Sequence, residues 1–161
     1  MKSRRHRESQ QELEQRLGYH FKDPQLLTRA LTHSSYAHEV SGGNLDNEPL
    51  EFLGDALLGC LISERLFLSF PDRDEGHLSR FKASLVNAEI LAAKARRLGL
   101  GPHLLLGNTA ERVGARTKGS LLSDAFEALV AAIYLDGGFE AARAFLERQF
   151  ASDIRGLTRT G

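Results

Sequence analysis

The chain has 161 residues, enough for one domain with a real hydrophobic core. Its 42% hydrophobic and 26% charged residues are ordinary for a soluble globular protein, and no apolar run approaches the ~20 residues that span a bilayer. The 21 basic residues balance 21 acidic ones, without the basic surplus usual in nucleic-acid binders, and a single cysteine excludes an internal disulfide.

Charge is unevenly placed. Lys2, Arg4, Arg5 and Arg7 make residues 1–9 a basic tail, read as a solvated end, and Arg143, Arg148, Arg155 and Arg159 add positive charge late in the chain. The basic start lacks the apolar segment of a signal peptide, which with the lone cysteine fits a reducing cytoplasm. Ser9-Gln10-Gln11-Glu12 has the form of a capping box and predicts a first helix from there to Gly18. Asp23-Pro24 opens a second, short helix through Leu31. Thr32-His33-Ser34-Ser35 follows; a lone histidine after an apolar stretch reads as structural, packing and bonding to backbone. Ser41-Gly42-Gly43-Asn44 is a loop by composition.

The next stretch organises the chain: Asn47-Glu48-Pro49-Leu50-Glu51-Phe52-Leu53-Gly54-Asp55-Ala56-Leu57-Leu58. Asn47 suits an N-cap and Pro49 a first turn, and the helix runs to about Phe70, before Pro71. At about 100° per residue, Glu48, Glu51 and Asp55 fall within roughly 60° of one another, with Leu50, Leu53, Leu57 and Leu61 opposite. Glu48 and Glu51 also suit the positive end of a helix, but Asp55 lies one turn deeper, where the dipole has faded. Three like charges on one face repel, a cost that a bound cation removes. Phe52 lies beside the acids, about 40° from Glu48, and Leu58 and Ile62 extend that side. A helix apolar on two faces is buried on both, in a bundle centre or an oligomer interface. Cys60, near the apolar face, reads as a small buried residue.

Asp72 to Gly76 is a charged turn, followed by a helical pattern through Leu85 that carries Arg80 and Lys82. Asn87 caps a helix through Arg97, stopped by Gly99. Residues 99–119, holding Gly99, Gly101, Pro102, Gly107, Gly114 and Gly119, are the least regular part. Ser120 is read as the cap of a helix carrying Asp124 and Glu127 on one face and ending at Asp136-Gly137-Gly138. A last helix spans about Phe139 to Asp153, with Phe139, Ala142, Leu146 and Phe150 at core spacing. No β-alternation or internal repeat appears, so the chain reads as all-α.

Leu50-Glu51-Phe52-Leu53-Gly54-Asp55-Ala56 resembles the signature of the ribonuclease III family, endonucleases that cut double-stranded RNA. Thr32-His33-Ser34-Ser35 resembles its Thr-His-x-Ser element, Asp74-Glu75-Gly76 another acidic element, and Asp124 to Glu127 its second acidic motif, all in family order. The resemblance covers roughly residues 10–153. It implies a ribonuclease III helical fold, with residues 10–155 as the catalytic domain and 156–161 starting a linker to an absent double-stranded-RNA-binding domain. It further implies that Glu51, Asp124 and Glu127 are metal ligands and that Asp55, with Glu127, is catalytic. Glu48 and Glu75 would be secondary acids, and Phe52 a contact of a homodimer paired through the signature helix. The expected activity is cleavage of double-stranded RNA to 5′-phosphate and 3′-hydroxyl ends with short 3′ overhangs, in cytoplasmic rRNA and mRNA processing.

Carboxylates are hard oxygen ligands suited to Mg²⁺, with Mn²⁺ as a substitute, and no cysteine cluster or histidine pair points to zinc. A di-iron bundle would require Glu-x-x-His motifs, which neither acidic helix has. A non-catalytic relative that binds RNA or ribosomal particles is the alternative; such relatives typically lack motif acids, and all four are present here. The chain departs from the family pattern at Pro49, commonly Arg, at Thr109-Ala110 in place of Gly-Glu, and at Gly114-Ala115 in place of Gly-Gly. That the two acidic motifs, about 70 residues apart, meet in space follows from the resemblance, not from spacing.

Overall fold

The computed structural model describes residues 2–43 and 45–157, with side chains from residue 9 onward except that of Ser41. Among these the fold is all-α: nine α-helices, two short 3₁₀ turns and one isolated parallel bridge, Thr32 to Leu105. The helices are α1 (Lys2–Leu17), α2 (Pro24–Ala30), α3 (Ser34–Ser41), α4 (Glu48–Ser69), α5 (Glu75–Leu85), α6 (Ala88–Leu98), α7 (Asn108–Arg112), α8 (Gly119–Gly137) and α9 (Phe139–Leu157).

The centre of the molecule is α8. Every residue from Ala128 to Ile133 is fully buried, so this helix is apolar all round and must be covered on all sides. Helices α4, α6, α9 and α2 pack around it. Phe126 of α8 meets Phe145 and Phe150 of α9, with ring centroids 5.9 and 6.4 Å apart. Lys94 of α6 is buried as well. Its ammonium donates to the Gln149 carbonyl (2.9 Å) and the Asp153 carboxylate (2.7 Å) and lies over the Phe150 ring, tying α6 to α9. At the far end of α8, the Asp136 carboxylate accepts from the Tyr19 hydroxyl and the Lys22 and Asp23 amides, anchoring the α1–α2 connection.

Several local expectations hold. Asp23 caps α2, Asn87 caps α6 through the Ile90 amide, and Gly99 stops α6 in the left-handed conformation. Others are corrected. Helix α1 begins at Lys2, so Ser9 is internal and its hydroxyl pairs with the His103 Nδ1; the side chains of the basic tail lie outside the described ones. Asn47 is buried and its amide donates to the Ala30 carbonyl, leaving Asp46 to accept from the Glu48 amide at the start of α4. Helix α8 starts at Gly119 without a side-chain cap from Ser120, and α9 continues past Asp153 to Leu157, into the stretch expected to start a linker. Arg159 falls outside the described residues. Cys60 is exposed, not buried. Leu58 and Ile62 belong to the molecule's own core, because α4 is embedded between α8, α5 and α9. Helix α3 had no counterpart in the periodicity: His33 caps it, a role normally held by Ser, Thr, Asp or Asn.

Candidate metal centre

Two helices build the site. Helix α4 carries Glu48, Glu51 and Asp55, and α8 carries Asp124 and Glu127. They cross where Gly54 meets the backbone of Glu127: a β-carbon at residue 54 would overlap the Glu127 carbonyl oxygen and crowd its carbonyl carbon. The missing side chain therefore permits the close approach, and the acids flanking Gly54 on α4 are delivered to those of α8. Glu51, Asp124 and Glu127 each place one carboxylate oxygen within 4.8 Å of the other two. All three are partly buried, and Asp55, at the exposed edge, hydrogen-bonds to Glu127.

The electrostatics follow from that crowding. Burial is the largest cause that pushes the Glu127 carboxyl up, to about 8, with the charges of Asp55, Glu51 and Asp124 adding to it. Glu51 is also raised, by burial first and then by Asp124, Glu48 and Asp55. Asp124 is raised by burial, against the lowering influence of His33 and of the hydrogen bond it shares with Glu51. Without a cation these carboxylates cannot all be ionised near neutral pH. The donor set is all oxygen, partly buried and overcharged, which fits a hard divalent cation such as Mg²⁺ or Mn²⁺.

The other sequence candidates lie around this cluster. Glu48 is exposed in the first turn of α4, close enough for its charge to act on Glu51 and Asp124. Glu75 stands apart: it opens α5, accepts from the Ser79 hydroxyl and is not part of the three-acid group. Phe52 is 82% exposed beside the acids. Sequence reasoning missed the part played by Gly54. A glycine inside a helix costs about 1 kcal/mol relative to alanine, and that cost was the available signal of a close approach.

Comparison with known proteins then places the chain. A family model described as Ribonuclease-III-like matches residues 23–154. The chain belongs to the ribonuclease III family. It is 51% identical over 152 residues to ribonuclease 3 of Geobacter metallireducens, covering 93% of this chain and 62% of the relative. It is 56% identical over 140 residues to ribonuclease 3 of Solibacter usitatus, covering 83% of this chain and 52% of the relative. It thus spans roughly half to three fifths of the length of these curated relatives. Among solved structures, a nuclease domain of ribonuclease III from Campylobacter jejuni superposes with a TM-score of 0.81 at 44% identity, over 87% of this chain and 94% of that one. The fold class read from the sequence agrees with this family. No helix among the described residues is long and apolar enough to cross a membrane.

The crossing geometry gives a paired test. Gly54→Ala forces α4 away from α8 and should destabilise the protein by about 3 kcal/mol, the upper range for overpacking, with loss of divalent-cation binding. Gly59, on the same helix, faces only the end of the Lys82 side chain at 3.5 Å, so Gly59→Ala should be neutral or stabilising. Equal melting temperatures for the two variants would contradict the close-approach account.

Proposed function

We propose that this chain is the nuclease domain of a metal-dependent endoribonuclease that hydrolyses double-stranded RNA to 5′-phosphate and 3′-hydroxyl ends with short 3′ overhangs. The observation that carries this reading is the convergence of Glu51, Asp124 and Glu127 from two helices into one oxygen-only cluster. These three residues would hold Mg²⁺, or Mn²⁺ in its place. When bound, the cation supplies Lewis acidity toward a phosphodiester and makes water acidic enough to serve as the nucleophile. Asp55, at the exposed rim and hydrogen-bonded to Glu127, is placed to orient substrate and hold the Glu127 carboxylate in position. Glu48 adds negative charge at the same rim, and Glu75 acts away from the cluster of its own chain. Cytoplasmic processing of rRNA and mRNA is the setting that the family membership supports.

The active species is a homodimer paired through α4. Phe52, Ala56, Cys60, Ser63 and Phe67 form an exposed row along this helix, within about 80° of one another, with Phe52 82% and Phe67 66% exposed. A two-fold contact brings one row against its copy, and so sets two acid clusters on one assembly. The Campylobacter jejuni nuclease domain is described as flexible in a region involved in dimer formation, which accords with such a pairing surface.

Two measurements test this reading. Glu127→Gln keeps the side chain's shape but removes a charged ligand, and should abolish cleavage of a long RNA duplex in Mg²⁺ while preserving the circular dichroism spectrum. Near-normal cleavage by that variant across a Mg²⁺ series would overturn the assignment. In sedimentation equilibrium the chain should be dimeric at micromolar concentration, and Phe52→Ala should weaken association by roughly tenfold or more, as expected for an aromatic anchor. A monomeric wild-type chain would contradict the pairing.

A further inference from the structure

Lys82 belongs to α5, and its ammonium is turned in against α4. A β-carbon at Gly59 would stand 3.5 Å from its Nζ, so the ammonium lies over the bare backbone of that glycine. The residue is half-buried, and among the described residues its ammonium makes no hydrogen bond or ion pair. A lysine commonly lays its stem along an apolar surface and sends its charged head into water. Here the head is partly withdrawn from water without a counter-charge, a cost that an arriving anion offsets.

The surroundings narrow the choice of anion. Lys82 lines a cavity of about 600 Å³ between α4 and α5, together with Asp55, Gly59, Ser63 and Ser79. A second cavity, of about 490 Å³, shares Ser63, Ser79 and Lys82 with the first and is also lined by Arg73 and Glu75. The ammonium thus stands where the two cavities adjoin, one of them reaching Asp55 at the rim of the metal centre. Gly59 lies one helical turn, about 5.4 Å, beyond Asp55 along α4. The carboxylates that line these cavities, Asp55 and Glu75, repel an anion, and the cations are Lys82 and Arg73.

Two sources of negative charge could meet Lys82: a second copy of this chain, or the substrate. The pairing row on α4 shares Ala56, Cys60 and Ser63 with the larger cavity, so a paired copy stands beside the ammonium. That row consists of Phe52, Ala56, Cys60, Ser63 and Phe67, none of them acidic, and a row-on-row contact offers Lys82 no carboxylate. A nucleic-acid strand taken at the metal centre brings a phosphate with every nucleotide. An ammonium one turn from the rim is placed for such a group, which it binds as a point charge.

We propose that Lys82 is a substrate-binding residue, its ammonium taking a backbone phosphate that flanks the phosphodiester at the metal centre. The inference rests on the reading of this chain as a nuclease of double-stranded RNA. It gives the cavity between α4 and α5 a ligand, and it separates Lys82 from Arg80, on the same helix, which lines neither cavity.

The test measures binding, not cleavage. Fluorescence anisotropy of a labelled RNA duplex is followed across a salt series, with Ca²⁺ in place of Mg²⁺ as a hard cation of less strict geometry. Lys82→Met keeps most of the stem and loses the charge; Lys82→Arg keeps the charge; Arg80→Met removes a charge outside the groove. Sedimentation of each variant reads the oligomeric state alongside. Lys82→Met should bind the duplex about tenfold more weakly at low salt, with an unchanged oligomeric state. Its plot of log affinity against log salt should be shallower by about one for each Lys82 engaged. Lys82→Arg should recover most of the affinity, and Arg80→Met should lose much less. Wild-type affinity and salt slope in Lys82→Met, or a loss matched by Arg80→Met, would overturn the proposal. A loss that follows dissociation into monomers would overturn it too, and would assign Lys82 to the second copy. A wild-type chain that does not bind duplex RNA would instead overturn the proposed function, and this inference with it.

Discussion

The structure depends on one contact, the backbone of α4 at Gly54 lying against the backbone of α8 at Glu127. Any side chain at residue 54 would hold the helices apart. With hydrogen there, Glu51 and Asp55, on either side of Gly54, come within reach of Glu127 and Asp124. The close approach and the acid cluster are thus one feature seen from two sides. The same five residues of α4, 51–55, supply the gap and the charges that fill its mouth.

Such a contact has to be held closed against electrostatic repulsion. Without a cation the crowded carboxylates oppose the crossing, and burial first, then the charges of Asp55, Glu51 and Asp124, push the Glu127 carboxyl up to about 8. What opposes them is the apolar burial around α8. Leu50, Leu57, Leu58, Leu61, Ile62 and Leu66 of α4 pack into the core that contains Phe126, Leu129 and Ile133. Each such side chain, fully buried, contributes about 1.5–3 kcal/mol relative to exposure, before the entropy of ordering is counted. The core therefore keeps the acids assembled, and a bound cation would relieve the repulsion they retain. The polar clamp at Thr32, Leu105 and Asn47 adds orientation, fixing the start of α4 relative to α2 and to the segment before α7.

Much of this was legible in the sequence because it is periodic. The acidic stripe of Glu48, Glu51 and Asp55, the three-residue spacing of Asp124 and Glu127, and the stops at Gly99 and Gly138 follow from helical geometry and local capping. What escaped was decided by tertiary contacts. Asn47 resembles a cap in every local respect, yet burial gave its amide a better partner in the Ala30 carbonyl and left capping to Asp46. Leu58 and Ile62 could face a partner molecule or the chain's own core, and periodicity does not distinguish these; α8 and α9 do. Cys60 lies on the row of α4 that neither helix covers. His33 was read as structural, packing and bonding to backbone, and its Nδ1 accepts from the Ser35 amide to cap α3, a helix the periodicity did not show. The meeting of the two acidic motifs likewise could come only from the family resemblance or from the structure.

The central claim is that the cluster is an overcharged site completed by a divalent cation, and thermal unfolding as a function of pH with and without Mg²⁺ tests it most directly. A Glu127 carboxyl raised to about 8 means that the native state binds this proton more tightly than the unfolded chain does. Its stabilising contribution is then complete below the unfolded value, about 4.3, and is lost as pH rises toward the folded one. In the absence of divalent ions the melting temperature should therefore fall between about pH 5 and about pH 9, and Mg²⁺ should restore it, most strongly at the alkaline end where it no longer competes with protons. A melting temperature that is flat over this range and indifferent to Mg²⁺ would contradict the account.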